Sequence, residues 1–372
     1  MKKIAFFLLS FCMLISCKMS DYQAETIQTS NSTLFPNEKS ESRQLVFAKL
    51  LCAADIDVAT CKEVKSVIEK SISLGFDESL ILADLFSATK AGNNSYNCPM
   101  LLSKIKSVSA ETKSENFTNI FNDPTLQIYW PYSDNWDGVS LPTITYLPED
   151  EDQNWNWGIK YMPGNDDVNS RIVMVDESYA ITNPVWVINK NVIPYEYIQT
   201  IRENASTHNQ IITKSSDFHP WILDQVKMTK QYDGIFSAGN NVKITITIPP
   251  TTGSLGGTNA VFFTILRKYA KGDGTWVAIN RTLNDNWIPE QYTNHMLMVE
   301  TDGGTEQTIT FGNQISDGQG NVTTVSQSVT YEDEDDIINQ WLYYRDVLLA
   351  QSPSHEYVTS DGKTYLKMHI QQ

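Results

Sequence analysis

Val242-Lys243-Ile244-Thr245-Ile246-Thr247-Ile248 decides the architecture of the C-terminal part of this 372-residue chain. Apolar and polar residues alternate strictly, which is the period of a strand with one side on a core and the other toward water. Pro249-Pro250 ends it, because proline has no amide hydrogen to give to a ladder. Similar runs follow at Ala260 to Lys268, Thr275 to Ile279, His295 to Glu300, Thr308 to Phe311 and Val322 to Thr330. Gly272-Asp273-Gly274, Asp302-Gly303-Gly304 and Asp317-Gly318 between them supply the backbone conformations that tight turns need. Many short strands joined this way predict an antiparallel β-sandwich over 216–372. One helix is expected inside it, from about Asp335 to Leu349, with a closing hairpin around Asp361-Gly362.

Upstream, the pattern changes twice. From 124 to 215, Leu126 to Trp130, Thr143 to Tyr146, Asn156 to Tyr161, Arg171 to Val175 and Pro184 to Ile188 read as short strands of a small, aromatic-rich β domain. From 41 to 123 the period is helical: Phe47, Leu50, Leu51 and Ala54 form one stripe, and Cys61, Val64, Ile68 and Ile72 form another. Leu82, Leu85 and Phe86 form a third, with Asp77 as its cap and Leu80 and Ile81 thickening its apolar face. Gly75 closes the second helix, and Pro99 opens a fourth. The fold class is therefore α+β, a small N-terminal helical bundle followed by antiparallel β domains.

Residues 17–40 are rich in Ser, Thr, Asn, Gln and Glu and bury too little to fold alone, so they read as a flexible tether. Residues 1–16 have the parts of a secretory leader: Lys2 and Lys3, an apolar run from Ile4 to Ile15, and small Ser16. The run is too short to span a bilayer. Leu14-Ile15-Ser16-Cys17 resembles the lipobox of bacterial lipoproteins. That resemblance implies cleavage before Cys17, a diacylglyceryl group on its thiol and an acyl chain, palmitate or similar, on its new amine. It makes the membrane a partner through a lipid anchor. Lys18, where a retention signal would have Asp, points to the outer membrane of the cell envelope. The remainder resembles uncharacterised surface lipoproteins in composition and layout.

The formal charge is −16, near −18 once Lys2 and Lys3 leave with the leader. Such a surface repels nucleic acid and anionic lipid headgroups, so no nucleic-acid partner is expected. Of five cysteines, Cys52, Cys61 and Cys98 stay in the body, where either one Cys52–Cys61 bridge or free buried thiols are compatible with the count.

Catalytic motifs are missing from the sequence. His355-Glu356 lacks the second histidine of a zinc-protease helix, and Ser254 has the wrong glycine spacing for a nucleophile elbow. No cofactor is expected apart from calcium, for which Glu149 to Asp152, Asp166-Asp167 and Glu332 to Asp336 are oxygen-rich candidates. Solvated loops, and for the last run the N-terminus of a helix, suffice to explain those acids and are the preferred reading.

The most distinctive stretch is aromatic. Trp130, Trp136, Trp155 and Trp157 lie among Tyr129, Tyr132, Tyr146 and Tyr161, with Asp and Asn between them. Flat rings stack on sugar faces or receive a peptide, while amides and carboxylates bind hydroxyls. They also pack β cores. Trp155 and Trp157 share a face if Asn154 to Ile159 is a strand, and are the first candidates for exposed binding residues, with Trp130 and Trp136 next. The expected function is a non-enzymatic binding or assembly module for glycan or an envelope protein. The alternative is an envelope hydrolase with a glycosidase-like carboxylate pair assembled from distant residues.

Overall fold

The computed structural model describes residues 42–86, 96–112, 123–148, 153–162, 171–207, 219–251, 255–317, 319 and 321–371. Cys17, the tether, the acids at 149–152 and 166–167, and Ser254 lie outside them. The described residues form α and β layers within one compact unit. Among them, no helix is long and apolar enough to cross a membrane.

The N-terminal layer comprises α1 (Arg43–Ala53) and α2 (Val58–Ser73), then β1 (Ser79–Ile81), α3 (Leu82–Phe86) and α4 (Pro99–Thr112). Side chains cap the first two helices: Ser42 Oγ accepts from Leu45 N, and Asp57 Oδ1 accepts from Thr60 N. Gly75, at φ 81°, closes α2 as expected, since only glycine enters that region without strain. α4 is anchored across the layer, because Met100 N and Leu101 N both donate to the Glu63 carboxylate on α2. Leu80 and Ile81 correct the expectation that they extend a helix. They sit in β1, and Asp77 Oδ1 accepts from Glu78 N and Gly239 N instead of capping α3.

β1 is the outer strand of a six-stranded sheet. Its other strands are β2 (Leu126–Tyr129), β3 (Thr143–Tyr146), β4 (Trp155–Lys160), β5 (Ile172–Asp176) and, after α5 (Glu177–Thr182), β6 (Val185–Lys190). The order is β1-β2-β6-β3-β4-β5, antiparallel except for β3 beside β6. Alternation puts Ile128, Ile188, Trp186, Ile144 and Ile159 on one face and Tyr129, Val187, Val185 and Val175 on the other. The second face packs on Ala180 of α5 and on Ile235 and Phe236. α1 lies against β3 and β6, so the helices cover the first. The chain is α+β as expected, with a small N-terminal helical part whose helices pack on one another and which also supplies β1 to the sheet. α6 (Tyr195–Thr207) follows, and Tyr197 packs edge-on against Phe76 and Phe262.

The sandwich begins with β7 (Trp221–Met228), β8 (Asn240–Ile248), β9 (Gly257–Ile265), β10 (Val277–Asn284) and β11 (Thr293–Glu300). It continues through β12 (Glu306–Ser316), β13 (Val322–Glu332), β14 (Asp336–Tyr344), α7 (Arg345–Ala350), β15 (Glu356–Val358) and β16 (Thr364–Ile370). Sheets β10-β7-β16-β15 and β14-β11-β8-β9 enclose one core that includes Trp221, Val242, Ile244, Ile246, Phe263, Trp287, Met298 and Leu366. Two local readings change. Asp336 to Tyr344 is a strand paired along β11, so the inserted helix is reduced to six residues. The polar side of β8 is not open to water, because Thr245 and Thr247 are buried. The β12–β13 ribbon closes over that side: Phe311 and Val329 pack on Leu297 and Val299. Asn313 Nδ2 donates to Thr247 Oγ1, and Lys243 Nζ donates to Thr330 O.

Candidate functional site

β4 brings its two tryptophans to the same face because successive side chains alternate. The rings meet edge to face, with centroids 5.5 Å apart and planes at 84°. Trp155 is 38 % exposed and Trp157 is half-buried. Met174, opposite Trp157 on β5, is 52 % exposed and extends the apolar surface. β5 ends the sheet and pairs only with β4 among the described residues. The rest of this face is roofed by helices, whereas the β4–β5 edge carries its large apolar side chains outside that cover. Gly158 lets the two strands beside β4 close in, since a Cβ there would stand 2.6 Å from Val175 Cγ2 and 2.7 Å from Thr143 Cγ2.

The other pair is placed differently. Trp130 is 1 % exposed and stacks edge-on between Trp136 at 5.4 Å and Trp186 at 5.8 Å. It is a core residue, which corrects its ranking among the exposed candidates: Trp186, remote in sequence, supplies the packing that covers it. Trp136 is half-buried and fixed by donating its Nε1 hydrogen to Ser140 O. Asp137 Oδ1 holds the same turn by accepting from Val139 N and Ser140 N. A cavity of about 50 Å³ beside Trp130 and Trp136 shares Ser140, Asn183 and Pro184 with a shallower groove of about 300 Å³. The groove adds Lys160, Tyr161, Met162 and Tyr179. Met162 and Met174 carried no signal, because a single methionine beside a strand reads as core filling.

The acids separate into distinct environments. Burial pushes Asp77 up to about 6 and Glu78 up to about 7, with the Asp77 charge adding to the latter. Both serve the backbone. Glu78 Oε1 accepts from Ser133 N and Ser133 Oγ, and Oε2 accepts from Tyr132 N, holding Tyr132 at φ 57°. Asp77 lines a cavity of only about 10 Å³. The acidic run at Glu332 to Asp336 precedes a strand, not a helix, and ties two turns together: Asp335 Oδ1 accepts from Asp302 N, and Asp333 Oδ1 accepts from Thr305 N. A second acidic group brings Asp233, from the loop between β7 and β8, to Glu300 and Asp302 at the end of β11.

The three cysteines Cys52, Cys61 and Cys98 are free thiols, and burial raises all three, the first two to about 12. Such thiols stay protonated and serve as core side chains. No known protein family, curated protein or solved structure matches the chain.

Proposed function

We propose that this is a lipid-anchored cell-envelope protein, held at the outer membrane by acyl chains on Cys17, that acts as a non-enzymatic binding or assembly module for glycan or another protein. The observation that carries the binding role is the Trp155–Trp157 pair with Met174, three large apolar side chains left at the open edge of an otherwise covered sheet. Isolated exposed apolar residues are ordinary, but a rigid aromatic pair on a strand edge offers contact area at small entropic cost. A sugar ring would stack on the outer face of Trp155, and a peptide strand would add alongside β5.

The hydrolase alternative requires two carboxyls facing each other across a cleft large enough for a sugar. Asp77 and Glu78 have pKa values raised as the acid of such a pair requires, yet both bind backbone amides, and the cavity that Asp77 lines is far below the few hundred cubic ångströms of an ordinary ligand site. That favours binding over hydrolysis.

The test uses the full chain purified in detergent, screened against glycans and envelope proteins beside a Trp155→Ala/Trp157→Ala variant. Loss of binding by at least about tenfold, equivalent to about 1.4 kcal/mol, is expected with the fold retained by circular dichroism. Equal affinity in the double variant rejects the aromatic edge. Cys17→Ser is expected to abolish palmitate labelling and release the protein from the membrane fraction. Retained labelling rejects the anchor.

A further inference from the structure

Asp233 lies in the loop between β7 and β8, Glu300 is the last residue of β11, and Asp302 follows two positions later. Each presents a carboxylate oxygen, and the three oxygens lie within 4.8 Å of one another. Two oxygens that each bind a common calcium at about 2.4 Å stand no more than about 4.8 Å apart, so this is the spacing of one coordination sphere. Asp233 and Asp302 line a cavity of about 50 Å³, together with Asn189 and Asn241. That is room for an ion and a few waters, and too little for an organic ligand.

A fourth oxygen points independently to an occupant. Asn189 on β6 is fully buried; its Nδ2 donates to Phe236 O at 3.0 Å, while its Oδ1 has no hydrogen-bond partner. Asn189 lines the same cavity as Asp233 and Asp302, and an amide oxygen buried without a donor loses the free energy of hydration and regains none from the protein. Glu300 repeats the pattern: Oε1 accepts from Asn241 N at 2.9 Å, and buried Oε2 meets no donor. The surroundings hold these groups in place. Arg267, itself buried, donates from Nη1 and Nη2 to Asp233 O at 3.2 Å and from Nη2 to Ala238 O at 2.8 Å, with a further bond to Gly234 O. The loop carrying Asp233 is therefore clamped before any ligand arrives.

We propose that Asp233, Glu300 and Asp302, with Asn189 Oδ1, bind one calcium ion. The donors are all oxygens, which suits calcium and disfavours metals that prefer imidazole or thiolate. An irregular set of carboxylates and an amide, completed by water, also fits calcium better than magnesium, which demands a small octahedron. Among the described residues no lysine or arginine is ion-paired with these carboxylates, although exposed Lys190 lines the rim. Burial raises the proton affinity of all three acids, reinforced by neighbouring carboxylates (Asp302 on Asp233, Asp233 and Asp302 on Glu300, Asp336 and Asp335 on Asp302) and offset on Asp233 by the Arg267 charge, so protons are the rival occupants.

Calcium chloride is titrated calorimetrically into the full chain in detergent at neutral pH, and thermal unfolding is followed with and without the ion. One calcium per chain is expected, with a higher Tm in its presence. Asp302→Asn, the substitution nearest solvent, should weaken binding at least tenfold while leaving the circular dichroism spectrum unchanged; Asp333→Asn, in the neighbouring turn, should bind as the parent does. The proposal is overturned if the parent binds no calcium at the millimolar levels typical of extracellular modules. Binding that Asp302→Asn and Asn189→Ala both leave intact also overturns it, as does equal affinity for magnesium. Should Asp302→Asn fail to fold, the stoichiometry and Tm shift of the parent and the affinity of Asn189→Ala decide the matter.

Discussion

Arg202 on α6 and Asp84 in α3 form an ion pair at 2.9 Å with both side chains almost fully buried. Tyr195 Oη and Gln199 Nε2 donate to the same Asp84 oxygen, and the Arg202 guanidinium lies 3.9 Å over the Tyr96 ring. Removing the cation would leave a carboxylate in a site without water. Arg202→Met is therefore expected to cost about 3–5 kcal/mol in urea unfolding, and a loss under about 1 kcal/mol would show that the pair is not needed. Neither this pair nor the Asp233, Glu300 and Asp302 group is visible in local sequence, because Arg202 meets Asp84, and Asp233 meets Glu300 and Asp302, only across long stretches of chain. The tryptophans teach the same lesson. Trp130 and Trp155 both lie among aromatic and polar residues in sequence, but Trp136 and Trp186 pack against the first, leaving it 1 % exposed, while the second stays 38 % exposed.

At the scale of elements, strands with clear alternation and flanking turns were legible to within a residue or two, as with Thr143–Tyr146 and Val322–Glu332. β7 was hidden, because Trp221 and Leu223 lie on one phase and Val226 and Met228 on the other; a register shift along β10 resets the alternation. β14 was misread because Ile338, Trp341 and Leu342 also fit a helical stripe, and the ladder with β11 overrides that local preference. The alternation of β8 was right about the core and misleading about the other side, since polar residues there meet polar partners from β12 and β13. Phe311, 5 % exposed, is the main apolar contact of that ribbon. Phe311→Ala is expected to cost about 3 kcal/mol or slightly more. Hydrogen exchange should quicken in β12 and β13 while amides of β7 and β16 remain protected; uniform quickening would show that ribbon and sandwich open as one.

At the scale of the molecule, the three stretches distinguished by composition share their cores and backbone bonds. Thr264 N donates to Gly75 O, Arg281 Nη2 donates to Leu74 O, and Phe236 packs under the six-stranded sheet. Composition reports the period of each stretch and carries no information about such crossings. The C-terminal strand has the same long reach. β16 lies between β7 and β15, so the last strand among the described residues is an inner strand of its sheet. Truncation after Gly362 is expected to abolish cooperative unfolding, as read by circular dichroism during a thermal scan; a sharp transition in the truncated protein would show that the sandwich closes without β16. For a chain that leaves the cytoplasm leader first, as proposed, this arrangement sets a clock. The sandwich cannot close before β16 is made, so the polypeptide upstream of it stays threadable until then and locks only on the far side of the exporter.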